Sequence, residues 1–195
     1  LFELESKIGS AELSTKPIKG TVPIIDGDSD HAWETLSESQ KNQSELYMIT
    51  DLLRNDLNRI EKPVVEVVGL KERLEVPGLM HSYSHLKVAL SDKVNLLQVL
   101  RGIFPGGSIT GAPKKRVMEI IEKLEIGQRN FYCGSSILKV ADTFKASVNI
   151  RSGVVNRKMD QTLYWSGGGV TVQSSCEEEY QEILDKTHSF VRFLS

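Results

Sequence analysis

The chain has 195 residues, 39% of them apolar, and a formal net charge of −2. That is enough to bury one sizeable core, in one domain or two small ones, and the balanced charge leaves no footprint for nucleic acid or an anionic membrane surface. Two cysteines, Cys133 and Cys176, have no CxxC partner and fit a reducing cytoplasm, while no apolar run approaches the ~20 residues of a membrane-spanning helix.

Leu1 to Leu4 and Ala11 to Lys16 read as short strands about a Gly9-Ser10 turn. The opening Leu-Phe-Glu-Leu has the look of a strand cut from a longer protein. Pro17-Ile18-Lys19-Gly20-Thr21 reads as a turn in which Pro17 fixes φ and Gly20 frees it, holding a lysine between them. Asp26 to Asp30 is a polar acidic loop. Ser37-Glu38-Ser39-Gln40 has the form of a capping box and predicts a helix whose apolar stripe is Leu46, Ile49, Leu53, Leu57 and Ile60, ended by Pro63.

Val64 to Val68 and Leu74 to Val76 read as strands, Ser82 to Leu90 fits either strand or helix, and Val94 to Leu100 predicts a short helix. Phe104 to Pro113 is a loop rich in glycine and proline. It feeds a helix with Val117, Ile120, Ile121 and Leu124 on one face and Pro113 in the first turn. Ala146, Val148 and Ile150 alternate with Ser147, Asn149 and Arg151 as in a half-buried strand. Leu163 to Trp165 and Val170 to Val172 read as strands flanking Gly167-Gly168-Gly169. Ser175 and Glu178 open a terminal helix whose buried side is Tyr180, Ile183, Leu184, Thr187, Val191 and Leu194. The interleaving gives an α+β fold class, β-sheets with helices packed outside, in one segment over 1–195.

Several residues could carry chemistry. Glu179, Glu182 and Lys186 line one face of the terminal helix, either as a solvated charged face or as carboxylates for a hard cation such as Mg²⁺, with Glu45 as a third. The loop before the glycine-rich helix entry presents Ser108, Thr110 and free amides where an anion is favoured, although no Walker lysine follows. Gly167 to Gly169 lets backbone approach a ligand or simply makes a sharp turn, and Arg151 could clamp a carboxylate. His81 and His85 have no metal spacing with either cysteine.

In combination these motifs resemble the chorismate-binding enzymes, the family of anthranilate, aminodeoxychorismate, isochorismate and salicylate synthases. The resemblance runs in order over nearly the whole chain. It includes Pro17 to Thr21, Glu45-Leu46-Tyr47-Met48, Asp51 to Asp56, His85-Leu86 and Phe104 to Lys114. It continues through Phe131 to Gly134, Ile150-Arg151-Ser152, Gly167 to Val170 and Glu179 to Glu182 with Asp185-Lys186. It implies the C-terminal half of that fold, with the N-terminal half absent.

The resemblance further implies a magnesium-dependent amination of chorismate in the route to p-aminobenzoate and folate, with ammonia from a glutamine amidotransferase subunit. Glu45, Glu179 and Glu182 would hold Mg²⁺; Tyr132, Arg151, Gly168 and Gly169 would take the enolpyruvyl carboxylate; Thr110 and Lys186 would lie on the ring side. His85 matches the family's active-site histidine, and Lys19 would attack C2 as a neutral amine, where anthranilate-forming members usually have alanine. The family's general acid would fall just before Leu1, Glu3 being a poor substitute because adjacent strand residues face opposite sides. Lys145 stands where relatives carry an acidic residue. Anthranilate formation is the alternative reading, and a segment lacking half its fold is expected to be inactive alone and to self-associate.

Overall fold

The computed structural model describes residues 2–61, 64–172 and 174–194, excepting the side chains of Ser189 and residues 192–194. The expectations placed on Leu1, on Pro63 and on the Leu194 side chain lie outside these. The chain divides into two compact units, Leu1–Leu124 with Ile137–Ser147 and Glu125–Ser136 with Val148–Ser195. Among the described residues no helix is long and apolar enough to cross a membrane.

The first unit is built on a sheet. β1 (Phe2–Lys7) and β2 (Ser10–Thr15) form the expected hairpin, followed by β3 (Ile18–Pro23), the long β4 (Val65–Val76) and β5 (Leu79–Ser91). With β6 (Ser135–Val140) and β7 (Thr143–Val148) they make a seven-stranded sheet in the order β3-β5-β2-β1-β7-β6, β4 lying on β5. Side chains along β5 alternate: Met80, Ser82, Ser84, Leu86, Val88 and Leu90 are buried, and His81, Tyr83, His85 and Lys87 face the other way.

Helices α1 (Ser29–Glu38) and α2 (Gln40–Glu61) contribute to the buried side, together with α3 (Leu96–Ile103) and the short α4 (Gly107–Thr110), while α5 (Lys114–Leu124) follows without a buried residue. Leu46, Ile49, Leu53 and Leu57 of α2 are buried at the expected three- and four-residue spacing. Leu57 joins Leu4, Leu13, Leu86, Val99 and Ile103 in the larger apolar cluster. Asp56 lies in the same stripe, 1% exposed, and is neutralised by Lys114 Nζ at 2.6 Å.

In the second unit, β8 (Ser152–Asn156) and β9 (Gln161–Trp165) form a hairpin, and α6 (Cys176–Leu194) follows. The Tyr164 ring stacks on Phe190 with centroids 4.0 Å apart, and Phe131 meets Trp165 edge-on at 5.4 Å. Glu178 N–H donates to Ser175 Oγ at 3.3 Å, the contact expected of a helix start there.

Several elements differ from expectation, each for a local reason. The supposed turn at Lys19 is part of strand β3, because Pro17 ends in the sheet, its carbonyl accepting from Ser84 N–H. Asp26 to Asp30 is not all loop: Asp28 caps α1 by accepting from His31 N–H at 2.9 Å. The proposed Ser37 box is the end of α1, where Ser37 Oγ bonds back to the Glu34 carbonyl, and Ser39 Oγ accepts from Asn42 N–H at the start of α2. β4 runs as one strand through register shifts at Gly69 where two strands were expected, and Ser82 to Leu90 resolves as strand. The last sheet strand stops at Val148, and Val170 to Val172 form no strand.

Two apolar faces were misplaced. No residue of α5 is buried, and Ile120 and Leu124 are exposed. On α6 Tyr180, Leu184 and Val191 are exposed; Glu179 is buried, and Ile183, Lys186, Thr187 and Phe190 are half-buried along the same side. Aromatic stacking at Phe190 and the approach of Gly168 to Glu179 and Ile183 set that face.

Because Asp56 is buried with Lys114 as its cation, Lys114→Met is expected to cost about 3 kcal/mol of unfolding free energy, within the range for stranding a buried charge. Urea titration measures it, and the double variant with Asp56→Asn should recover much of the loss.

Candidate functional site

Lys19 lies opposite Ser82 and Thr21 opposite His81, so Gly20 is the extra residue of a β-bulge. Its φ is 78°, and a Cβ there would stand 2.6 Å from Leu36 Cδ1, so both conformation and space call for glycine. Lys19 shares the face of buried Ser82, and on that face its Nζ donates to Glu45 Oε2 of α2 at 3.1 Å. The two side chains are 29% and 21% exposed, screened from bulk water but reachable.

Thr110 ends α4 with its hydroxyl donating to the Gly106 carbonyl at 3.1 Å, which closes the glycine-rich turn. The structure does not bring His85 to Lys19. Three positions beyond Ser82, it falls on the opposite face of β5, where Nε2 lies 2.9 Å from Ser14 Oγ. It lines a shallow depression of about 470 Å³ with Lys16, Lys87, Lys145 and Glu12 among others. Glu3, on the same face, pairs with Lys145 at 3.5 Å directly across the β1–β7 ladder. The histidine adjoining Lys19-Gly20-Thr21 is His81, whose Nδ1 lies 3.0 Å from Thr21 Oγ1 and 3.3 Å from the Gly20 carbonyl oxygen. Its signal in the sequence is only the glycine that shifts the β3 register.

The second unit gathers six of the expected residues. Lys186 Nζ donates to the Gly167 carbonyl at 3.3 Å and pairs with Glu182 at 2.5 Å, one turn back. A Cβ on Gly167 would stand 2.6 Å from the Tyr132 hydroxyl, and one on Gly168 would stand 3.1 Å from Glu179 Oε2. Glu179 Oε1 accepts from Ser174 Oγ at 2.7 Å. Tyr132, Gly167, Gly168, Glu179, Glu182 and Lys186 therefore form one neighbourhood, open at Gly169, where no atom approaches a would-be Cβ within 4 Å. Arg151 corrects the expectation of a strand face: β7 has ended, and the residue takes φ 49° with its side chain exposed ahead of β8.

The expected metal ligands divide between the units, Glu45 in the first and Glu179 with Glu182 in the second. Among the described residues no three His, Cys, Asp or Glu side chains gather as a metal cluster. Glu179 and Glu182, one turn apart on α6, are hard oxygen donors of the kind Mg²⁺ takes in pairs while keeping its remaining positions for water and substrate, so the donor chemistry fits.

Electrostatics separate the groups further. Burial, reinforced by neighbouring Cys133, pushes the Tyr132 phenol up to about 12, so near neutrality it is a hydroxyl able to donate to a carboxylate. Burial first, then the charges of Lys16 and Lys87, hold the His85 imidazole below its usual range.

Residues 2–192 match the family described as chorismate binding enzyme. The chain is 38% identical over 187 residues to aminodeoxychorismate synthase component 1 of Salmonella typhimurium, covering 93% of this chain and 40% of that protein. It is 37% identical over 182 residues to an anthranilate synthase component 1 of Haloarcula marismortui, covering 92% and 37%. Anthranilate synthase component I from Streptococcus pneumoniae superposes with a TM-score of 0.76 at 29% identity, over 94% of this chain and 40% of that one. The chain thus spans about two fifths of the length of these two curated relatives.

The His85 shift carries a sign. With a folded pKa below the unfolded ~6.5, the native state binds fewer protons in that interval, so stability is lost on acidification and is restored as pH rises through about 6.5. Urea midpoints compared at about pH 5 and about pH 7.5 should rise with pH in the natural chain and rise less in His85→Gln.

Proposed function

This chain belongs to the chorismate-binding enzyme family, and from that premise we propose that it supplies the reacting half of a chorismate aminase. The observation that carries the reading is the Lys19 amine on a bulged strand, held 3.1 Å from the Glu45 carboxylate. An amine attacks only when neutral, and a carboxylate at hydrogen-bond distance is placed to accept its proton. Lys19 Nζ then bonds to C2 of chorismate, the ring double bonds shift, and the C4–O bond breaks. The departing hydroxyl takes up a proton and leaves as water, balancing the proton lost by the amine. Ammonia next bonds to C4 as the C2–N bond breaks and the lysine is released.

The second unit contributes anion recognition. The neutral Tyr132 hydroxyl, the backbone about Gly168 and Gly169, and Arg151 would take the enolpyruvyl carboxylate, with Lys186 on the ring side. Glu179 and Glu182 would hold Mg²⁺, whose charge offsets the ring carboxylate. Ammonia would come from a glutamine amidotransferase, a reading supported by the "component 1" in the names of the relatives. The product, 4-amino-4-deoxychorismate, leads to p-aminobenzoate and folate, and the setting is the cytoplasm.

A second reading, anthranilate formation with loss of pyruvate, is favoured by the likeness to anthranilate synthases in both sequence and structure. It needs no covalent lysine. The full-length gene product incubated with chorismate, Mg²⁺ and ammonium distinguishes them. Amination should fall at least ~10³-fold in Lys19→Ala. Without ammonium, the natural protein should gain the mass of chorismate less water on the peptide containing Lys19. Fluorescent anthranilate formed equally well by Lys19→Ala would establish the second reading instead.

A further inference from the structure

One serine touches both elements that create the Lys19 contact. Ser84, fully buried on β5, donates its backbone N–H to the Pro17 carbonyl at 3.1 Å, two residues ahead of Lys19. Its hydroxyl donates to the Leu70 carbonyl of β4 and lies 2.9 Å from Thr50 Oγ1 of α2, a side chain 4% exposed. Thr50 Oγ1 is also 2.7 Å from the Leu46 carbonyl, next to Glu45.

Two hydroxyl protons thus serve three contacts. The arrangement that satisfies the buried groups sends the Thr50 proton to Ser84 Oγ and the Ser84 proton to Leu70, because the Leu46 carbonyl already has its helical partner at Thr50 N–H. No other polar contact described between α2 and β5 is buried on both sides. Apolar contacts are non-directional, whereas a buried hydroxyl pair fixes both register and distance through its geometry.

We propose that Thr50 and Ser84 are positioning residues, a buried hydroxyl clasp that sets the separation of the Lys19 amine and the Glu45 carboxylate by tying the helix of one to the strand entry of the other. The proposal rests on Lys19 being the reacting amine, but the clasp acts on the pair whatever the reaction. Its test is therefore made in two ways.

The first readout needs no turnover. Acetylation of Lys19 by limiting acetic anhydride is followed by peptide mass spectrometry, with exposed Lys123 as internal reference. Thr50→Val removes the hydroxyl with little change of shape, and Thr50→Ser keeps it. Released from Glu45, Lys19 should label about three- to tenfold faster in Thr50→Val and at the natural rate in Thr50→Ser. An unchanged Lys19 rate in a folded Thr50→Val overturns the proposal, as does equal acceleration in Thr50→Ser.

The second readout is kinetic. In the full-length enzyme, Thr50→Val should lower kcat about 10–100-fold with KM within about twofold, since misplacement of a reacting group affects the chemical step. Ser84→Ala should act similarly, and the double variant should be no worse than either single one, as expected for partners in one contact. If Lys19→Ala leaves turnover intact while Thr50→Val still accelerates labelling, the proposed reaction fails and the clasp stands. Additive losses in the double variant, or kcat and KM altered in parallel with the folded fraction, overturn the clasp.

Discussion

The first unit hangs on the register of β5. This strand pairs with β2, β3 and β4, so a slip of one residue would turn Met80, Leu86, Val88 and Leu90 out of the core together. Residues that share a face are consequently fixed as a set. Ser82 and Ser84 must look toward the helices, His85 must look away, and Lys19 inherits its direction from Ser82 across the ladder.

Against that rigid frame the chain departs from regularity in one telling place. Gly20 inserts an extra residue between partners of Ser82 and His81, so that Lys19 and Thr21 flank the bulge and contact different neighbours. A continuous ladder would put Lys19 and Thr21 on one face. The bulge instead lets one short strand give an amine to the helix layer and a hydroxyl to a histidine. Bulges beside reacting groups re-aim side chains at little cost to the rest of a sheet.

How much of this was legible in the sequence depended on whether a signal was local. The hairpin, the apolar stripe of α2 and the start of α6 follow from spacing and turn chemistry, whereas the gathering of Tyr132, Glu179 and Lys186 around the glycines was legible only through the family resemblance. His85 could not be placed that way, because the choice between it and His81 depends on a register shift created by Gly20 in a strand sixty residues away. The face of α6 was misread because an aromatic at Tyr180 outweighed an acid at Glu179; burial there follows from glycine backbone and a stacked Phe190, which no helical period reveals. Likewise the burial of Asp56 has no signal in its own helix, since it depends on Lys114, distant in sequence, to neutralise it.

The inward side of α6 has a consequence for how such a protein can change. Glu179 and Lys186, residues of the candidate site, also form the seam along which the helix meets Gly168 and Gly167. Folding and chemistry are therefore written in the same letters, and a substitution that retunes the site also loosens the helix beneath it. Variation is freest on the outward side, at Tyr180, Leu184 and Val191, where side chains are exposed. A substitution on that outer face would leave the seam with Gly167 and Gly168 untouched, so the two sides of one helix differ in how much change they can absorb.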